Sequence, residues 1–331
     1  MTRGAAGEER GSRPASTPAG RAEPPAPYPT LPYRLLNTGN ACYLNSLLQL
    51  IRTDGILCGL FCDHRCGAGV TACALCALAA DLAPRRRAQR MLCGQHAVLA
   101  SNRHTLDAPG VPALALNRQE DVGEAWQRLL TAAAQEAQAA AQVLSPEEVA
   151  QMVWPQLVRH VGYTLDSWKE CGCGARTELA EQDPVLELTV APWGAAAELA
   201  PAVLAVLAGG ASGVNCDTCH ARAAVQRNRI RETRSVLLIR VERWRWGGGR
   251  ATKVRSTASL PATLHLPACT YGLAAAACHV GADADAGHWL VHRPGGVVDD
   301  DARRRGPATG SCTDRDGSPA HDAALVLYCR T

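Results

Sequence analysis

Apolar side chains recur along this chain at two spacings, a helical one first and a strand-like one later. Within residues 40–52, Leu44, Leu47, Leu48 and Ile51 lie one helical turn apart, and Asn40 stands where an N-cap belongs. A second helix is predicted over residues 70–82, ended by Pro84 and three arginines. Residues 120–143 read as a long Ala-rich helix, and Pro146-Glu147-Glu148 opens another reaching about Val161. Beyond Leu165 the pattern changes. Leu186, Leu188 and Val190 alternate with polar residues as in a half-buried strand, a short helix is predicted over residues 198–207, and residues 236–241 are a β run. Leu260, Leu264 and Leu266 fit strand edges, Gly247-Gly248-Gly249 marks a hairpin tip or loop, and residues 274–280, 288–292, 297–298 and 324–329 complete a strand-rich half. Helices first and an antiparallel sheet afterwards predict an α+β architecture without internal repeats.

Composition narrows the picture. In 331 residues, 47% are hydrophobic and 20% charged, enough to bury a large core. Residues 1–30, rich in Pro, Ala, Gly and Arg, read as a disordered tail, with order beginning near Leu31. A net charge of +3 gives no argument for a nucleic-acid partner. No run approaches the roughly 18 apolar residues of a membrane span. Fifteen cysteines with no secretory signal in view point to reduced thiols, hence to metal binding or catalysis in a cytoplasmic or nuclear setting.

Three separated segments carry candidate chemistry. Cys42 falls in the first turn of the first predicted helix, where unpaired backbone N–H groups and the helix dipole favour a thiolate. Asn37, on the loop entering that helix, is placed to donate to a developing oxyanion, and Gly39 permits the tight path between them. His288 opens a predicted strand. Asp299, Asp300 and Asp301 follow the Pro294-Gly295-Gly296 turn, so a β-hairpin carries an imidazole and a carboxylate on its two arms. Taken singly, a helix-start Cys reads as a small buried hydrophobe and a strand His as structural. In that order and setting, the three read as a thiol hydrolase.

The segment from Leu35 to Gln49 resembles the cysteine box of the ubiquitin-specific proteases, and the stretch from Tyr271 to Trp289 resembles their histidine box. Arg118-Gln119-Glu120-Asp121-Val122-Gly123-Glu124 is similar to the Gln-Glu-Asp box between them; the run Val236 to Trp244 and the strand around Leu325-Val326-Leu327-Tyr328 resemble further family strands. The resemblance covers residues 31 to 330 in the family's order and implies a papain-like domain over residues 31–331, with a helical thumb (about 31–163), fingers (about 164–235) and a β-rich palm (about 236–331). It implies cleavage after the C-terminal Gly of ubiquitin, with Cys42 as nucleophile, His288 as base, Asp299 as orienting acid and Asn37 as oxyanion donor. It also implies that Gln119, Asp121, Glu124 and Trp289 meet the ubiquitin tail, where a carboxylate pair suits an arginine. The implied partners are ubiquitin and ubiquitinated proteins, with no nucleic acid, no membrane and a monomeric chain. The chain departs from the family in a His-to-acid interval of only eleven residues, which leaves Asp299, Asp300 and Asp301 as alternatives for the acid. Ala125 also replaces the usual Phe of the middle box.

No cofactor is expected for catalysis, but a structural zinc is. Cys171-Gly172-Cys173 and Cys216-Asp217-Thr218-Cys219 lie where the family carries its fingers zinc, with His220 as a substitute ligand. A second cluster (Cys62, His64, Cys66, Cys73, Cys76, Cys93) reads instead as buried thiols, with Cys73 and Cys76 on the apolar face of the second helix. Two other functions stay open: a catalytically impaired ubiquitin-binding protein, and a protease for another ubiquitin-like modifier.

Overall fold

A computed structural model of the chain describes residues 35, 41–64, 74–82, 120–179, 184–191, 199–247, 250–254, 260–267, 269–281, 287–294, 296–299, 302–305 and 322–331. Helix α1 (Cys42–Ile51) is buried along its whole length, including the polar Asn45, Ser46 and Gln49. A helix buried on every face belongs at the centre of a domain. Leu44, Leu47, Leu48, Leu50 and Ile51 are nearly inaccessible, and burying each such side chain is worth about 1.5–3 kcal/mol.

The other helices of this half are α2 (Gly55–Cys62), α3 (Ala74–Leu82), α4 (Val122–Ala140), α5 (Pro146–Val149) and α6 (Val153–His160), of which α4 packs directly on α1. Phe61 of α2 meets Trp126 of α4 edge-on, with ring centroids 6.3 Å apart. The first helix starts later than its pattern predicts. Ala41 occupies the N-cap position without a side-chain cap, so Cys42 itself is the first helical residue; Asn40 lies outside the described residues. Helix α2, missed in the sequence, is short and carries two glycines, but Asp54 caps it by accepting from Leu57 N–H at 2.7 Å. The helix predicted over residues 146–161 is two helices. Ser145 and Glu148 form a capping box on the first, and Pro155 falls in the opening turn of the second, where its missing N–H costs nothing.

Among the described residues the palm is an eight-stranded sheet, seven of whose strands run in the order β13-β12-β11-β10-β14-β6-β3 while β9 pairs with β10. These are β3 (Leu188–Val190), β6 (Val236–Val241), β9 (Thr263–Leu266), β10 (Cys269–Val280), β11 (His288–Arg293), β12 (Gly296–Asp299), β13 (Ala302–Arg305) and β14 (Ala323–Arg330). The expectation of a purely antiparallel sheet is corrected by one pair, because β3 runs parallel to β6. Arg303, Arg304 and Arg305 lie in β13, which pairs with β12.

Strand alternation divides the core into two layers. Ala275, Ala277, Trp289, Val291, Val298, Leu325 and Leu327 join the cluster containing α1 and Cys42. Ala276, Cys278, Leu290, Val297, Val326 and Tyr328 join a second cluster with α7 (Leu199–Ala208). Helix α1 packs on β10 and β11, which fixes the nucleophile-bearing helix against the histidine-bearing strand.

A separate four-stranded sheet, β2-β1-β5-β4, forms an extension built from β1 (Tyr163–Glu170), β2 (Arg176–Glu178), β4 (Gly209–Val214) and β5 (Ala224–Thr233). Its long β1–β5 pair carries charges rather than an apolar stripe, which hides it from a hydrophobic pattern. Arg229 pairs with Asp166 at 2.8 Å, and the Arg176 guanidinium stacks 4.3 Å from the Trp168 ring centre. Where this extension leaves the thumb, Gly162 adopts φ +89°, and a Cβ there would lie 1.9 Å from the Val185 carbonyl oxygen.

Candidate active site

Cys42 stands at the first position of α1. Ala41, at the N-cap, makes no side-chain cap, and the helix dipole ends on the thiol. The side chain is 3% exposed, in the layer shared with Trp289 and Val291. Burial of the whole helix gives the sulfur a fixed address.

His288 opens β11, half-buried and paired with Val280 of β10. The residue before it has to be glycine, since a Cβ on Gly287 would lie 2.4 Å from His279 Nε2. The His279 ring fills that space and is itself held between Trp289 and Trp244, at centroid distances of 5.0 and 5.4 Å. Trp244 belongs to a two-stranded ribbon of β7 (Trp244–Gly247) and β8 (Arg250–Lys253). Burial, then the Lys253 charge and that of His288, push the His279 pKa down to about 4, so this inner imidazole is neutral at physiological pH. Trp289, expected to meet substrate, is 1% exposed, and its ring meets that of His279 at a tilt.

Asp299 ends β12. The pair Val291–Val298 precedes it, so its backbone lies one step further, level with Leu290 and two residues from His288. On its other side it pairs with Ala302; Asp300 and Asp301 lie outside the described residues, as do Asn37 and Gln119.

Carboxylates gather at the start of α4. Asp121 caps the helix, its Oδ1 accepting from Gly123 and Glu124 N–H groups at 2.8 and 3.2 Å, with Arg240 3.9 Å away. The largely exposed Glu124 carboxyl is raised above its usual range, first by loss of hydration and then by Asp121 and Glu120. Glu187, just ahead of β3, is raised first by burial, while Gln127 and Arg240 oppose the shift. Sequence reasoning missed Glu187, because only the parallel β3–β6 pairing brings it here. Crowded carboxylates of this kind favour a cationic ligand.

The four predicted ligand cysteines converge at the tip of the long β1–β5 ribbon. Cys171–Cys219 and Cys173–Cys216 have sulfur separations of 3.7 Å, and all four sulfurs lie within 4.8 Å of one another. A tetrahedral Zn–S₄ centre with bonds of about 2.3 Å has edges of about 3.8 Å. Each pair sits in a turn closed by a left-handed residue, Gly174 (φ +86°) and His220 (φ 60°). Cys216 is pulled down to about 6, first by backbone N–H groups of Cys219 and Thr218 donating to its sulfur, which favours the thiolate a metal needs. The donor set therefore fits a structural zinc, and His220 is outside it.

Of the second cysteine group, Cys66, Cys73 and Cys93 lie outside the described residues. Cys62 Sγ is 3.8 Å from Cys58 Sγ, while His64 faces Glu136 at 3.5 Å and Cys76 is half-buried.

No protein of curated function matches the chain in sequence. Solved structures share its fold. A chain of the SAGA DUB module of Ubp8, Sgf11, Sus1 and Sgf73 bound to monoubiquitin superposes with a TM-score of 0.69 at 17% identity, over 92% of this chain and 70% of that one. The yeast SAGA DUB module gives a TM-score of 0.67 at 17% identity, over 92% and 69%. The same module bound to ubiquitin aldehyde gives 0.66 at 17% identity, over 92% and 70%. The family model for ubiquitin carboxyl-terminal hydrolases matches residues 33–295, and the chain belongs to that family of cysteine deubiquitinating hydrolases.

Proposed function

We propose that this chain hydrolyses the isopeptide or peptide bond after the C-terminal glycine of ubiquitin, with Cys42, His288 and Asp299 as the triad and Asn37 as the oxyanion donor. The observation that carries this reading is the packing of α1, which starts at Cys42, on β11, which starts at His288. In the reaction, His288 takes the Cys42 proton and the sulfur attacks the glycine carbonyl carbon; the C–S bond forms as the carbonyl π pair moves to oxygen. Asn37 donates to that oxygen. As the tetrahedral centre collapses, the C–N bond breaks and His288 protonates the departing amine. A water, deprotonated by His288, then attacks the thioester, releasing the ubiquitin carboxylate and the thiol.

The carboxylate shelf of Asp121, Glu124 and Glu187 suits the arginines of a basic, extended tail, and two scissile glycines suit a cleft that excludes bulk. Fold neighbours bound to monoubiquitin and ubiquitin aldehyde support the same substrate. Zinc held by Cys171, Cys173, Cys216 and Cys219 contributes no step; it would tie β1 to β5 and stiffen the fingers.

One observation favours a second reading, a ubiquitin-binding chain with impaired turnover: the backbone of Asp299 is level with Leu290 rather than His288. A ubiquitin C-terminal electrophile separates the two by intact mass. A one-to-one adduct, absent in Cys42→Ala, is the expected result. Ubiquitin binding with no adduct would establish the second reading, and preferential capture of a different ubiquitin-like tail would move the substrate assignment.

A further inference from the structure

Of the 34 basic residues in this chain only Lys169 and Lys253 are lysines, and Lys253 is buried, its side chain 2% exposed. A buried ammonium is costly unless its donors are matched by acceptors. Here three oxygens converge on Nζ: the carbonyls of His279 at 2.5 Å and Gly281 at 2.9 Å, and Asp322 Oδ1 at 3.0 Å. The same corner is stitched by His279 N–H donating to the Asp322 carbonyl at 3.1 Å and Arg243 Nε donating to the Ala323 carbonyl at 2.7 Å.

The place of this clamp matters more than its strength. His279 and Gly281 are the last turn of chain before the β10–β11 connection, which returns at Gly287-His288. The β7–β8 ribbon grips the end of β10 at two points. Trp244 meets the His279 ring edge-on and Lys253 holds the His279 carbonyl, while the far edge of that ring sits against the Cα of Gly287. A chain of contacts thus runs from Lys253 through His279 to the backbone that presents His288.

We propose that Lys253 is a positioning residue, through which the β7–β8 ribbon sets the approach of the His288 imidazole to Cys42. This rests on the assignment of Cys42 and His288 made above. A compact ammonium with three divergent donors meets three separate oxygens in a confined space, whereas a planar guanidinium fork suits bidentate acceptors. Arginine, abundant elsewhere in the chain, is therefore no substitute here.

The test compares the full-length parent with Lys253→Met, Lys253→Arg and Asp322→Ala. One readout is hydrolysis of a fluorogenic ubiquitin C-terminal amide, resolved into kcat and KM. The other is the pH profile of Cys42 alkylation by iodoacetamide, which reports the thiol–imidazole pair without ubiquitin. Lys253→Met is expected to lower kcat by about a hundredfold, the usual scale for a misplaced reacting group, with KM within about twofold. Its alkylation profile should lose the low-pH arm that His288 gives the thiol. Lys253→Arg should restore neither readout, and Asp322→Ala should shift both in the same direction by less. Parent-like kcat and alkylation in Lys253→Met, or full recovery in Lys253→Arg, overturns the proposal. If Lys253→Met does not fold, Asp322→Ala decides, and parent-like behaviour there also overturns it. A parent with no low-pH arm sinks the Cys42–His288 pairing and the clamp together; hydrolysis that needs Cys42 but ignores Lys253 sinks the clamp alone.

Discussion

Gly287 shows how one missing methyl group can govern a reaction. Its Cα rests against the His279 ring, and an added Cβ would come within 2.4 Å of Nε2, so the ring or the strand has to move. Gly287→Ala is expected to reduce kcat by about tenfold or more, as small displacements of reacting groups do, while ubiquitin affinity measured on a Cys42→Ala background stays near the parent value. His279 supplies a second residue-scale prediction. Its folded pKa of about 4 lies below the ordinary histidine value of about 6.5, so between these values the unfolded chain binds more protons. Stability from this group is complete above about pH 6.5 and falls as pH drops toward 4, by on the order of 2–3 kcal/mol in all. Urea titrations across this range should show the slope, and His279→Gln should flatten it. The helix that opens at Cys42, the strand that opens at His288 and the cluster of four thiols were legible in the sequence because each sits in a dense local motif. Glu187 and Lys253 were not, since each acquires its neighbours only from strands distant along the chain.

At the scale of elements, α1 is the axis on which the site turns. Leu47 is fully buried between thumb and palm, so Leu47→Ala should cost about 2–5 kcal/mol in chemical denaturation, with cavity formation adding to lost transfer energy. Strand β11 makes a sharper demand. Trp289 and Val291 face α1, Leu290 faces the rear layer, and strict alternation would align His288 with Leu290. The triad therefore requires the first residue of the strand to leave that alternation, which a preceding glycine allows. Hydrophobic periodicity located α4, α7, β6 and β14 to within a few residues, because the two helices each bury one face and the two strands, buried on both, read as continuous apolar runs. It failed for α2, where two glycines blur the pattern, and for β1 and β5, where paired charges replace apolar side chains. It merged α5 with α6, although Pro155 falls in the opening turn of the second.

For the whole molecule, two clusters on either side of one sheet hold thumb and palm together, whereas the tip of the fingers buries, among the described residues, a small cluster of Cys171, Cys216 and Ala224. An extension whose tip buries so little apolar surface needs a staple, and four converging thiols can provide one by holding a metal ion. The purified protein is expected to carry one equivalent of zinc. A chelator should release it, lower Tm and expose β1 and β5 to hydrogen exchange before the palm, and Cys216→Ser should do the same without chelator. A metal-free protein whose fingers exchange as slowly as the palm would contradict this part of the account.

The convergence of thumb and palm on one thiol can be measured outright. An experimental structure of the chain with ubiquitin occupying the cleft gives the separation between Cys42 Sγ and the nearer ring nitrogen of His288. The account predicts contact within about 4 Å, with a carboxylate from the stretch Asp299 to Asp301 on the opposite ring nitrogen. An imidazole lying with Leu290 against the rear layer, out of reach of the sulfur even with ubiquitin bound, would contradict it.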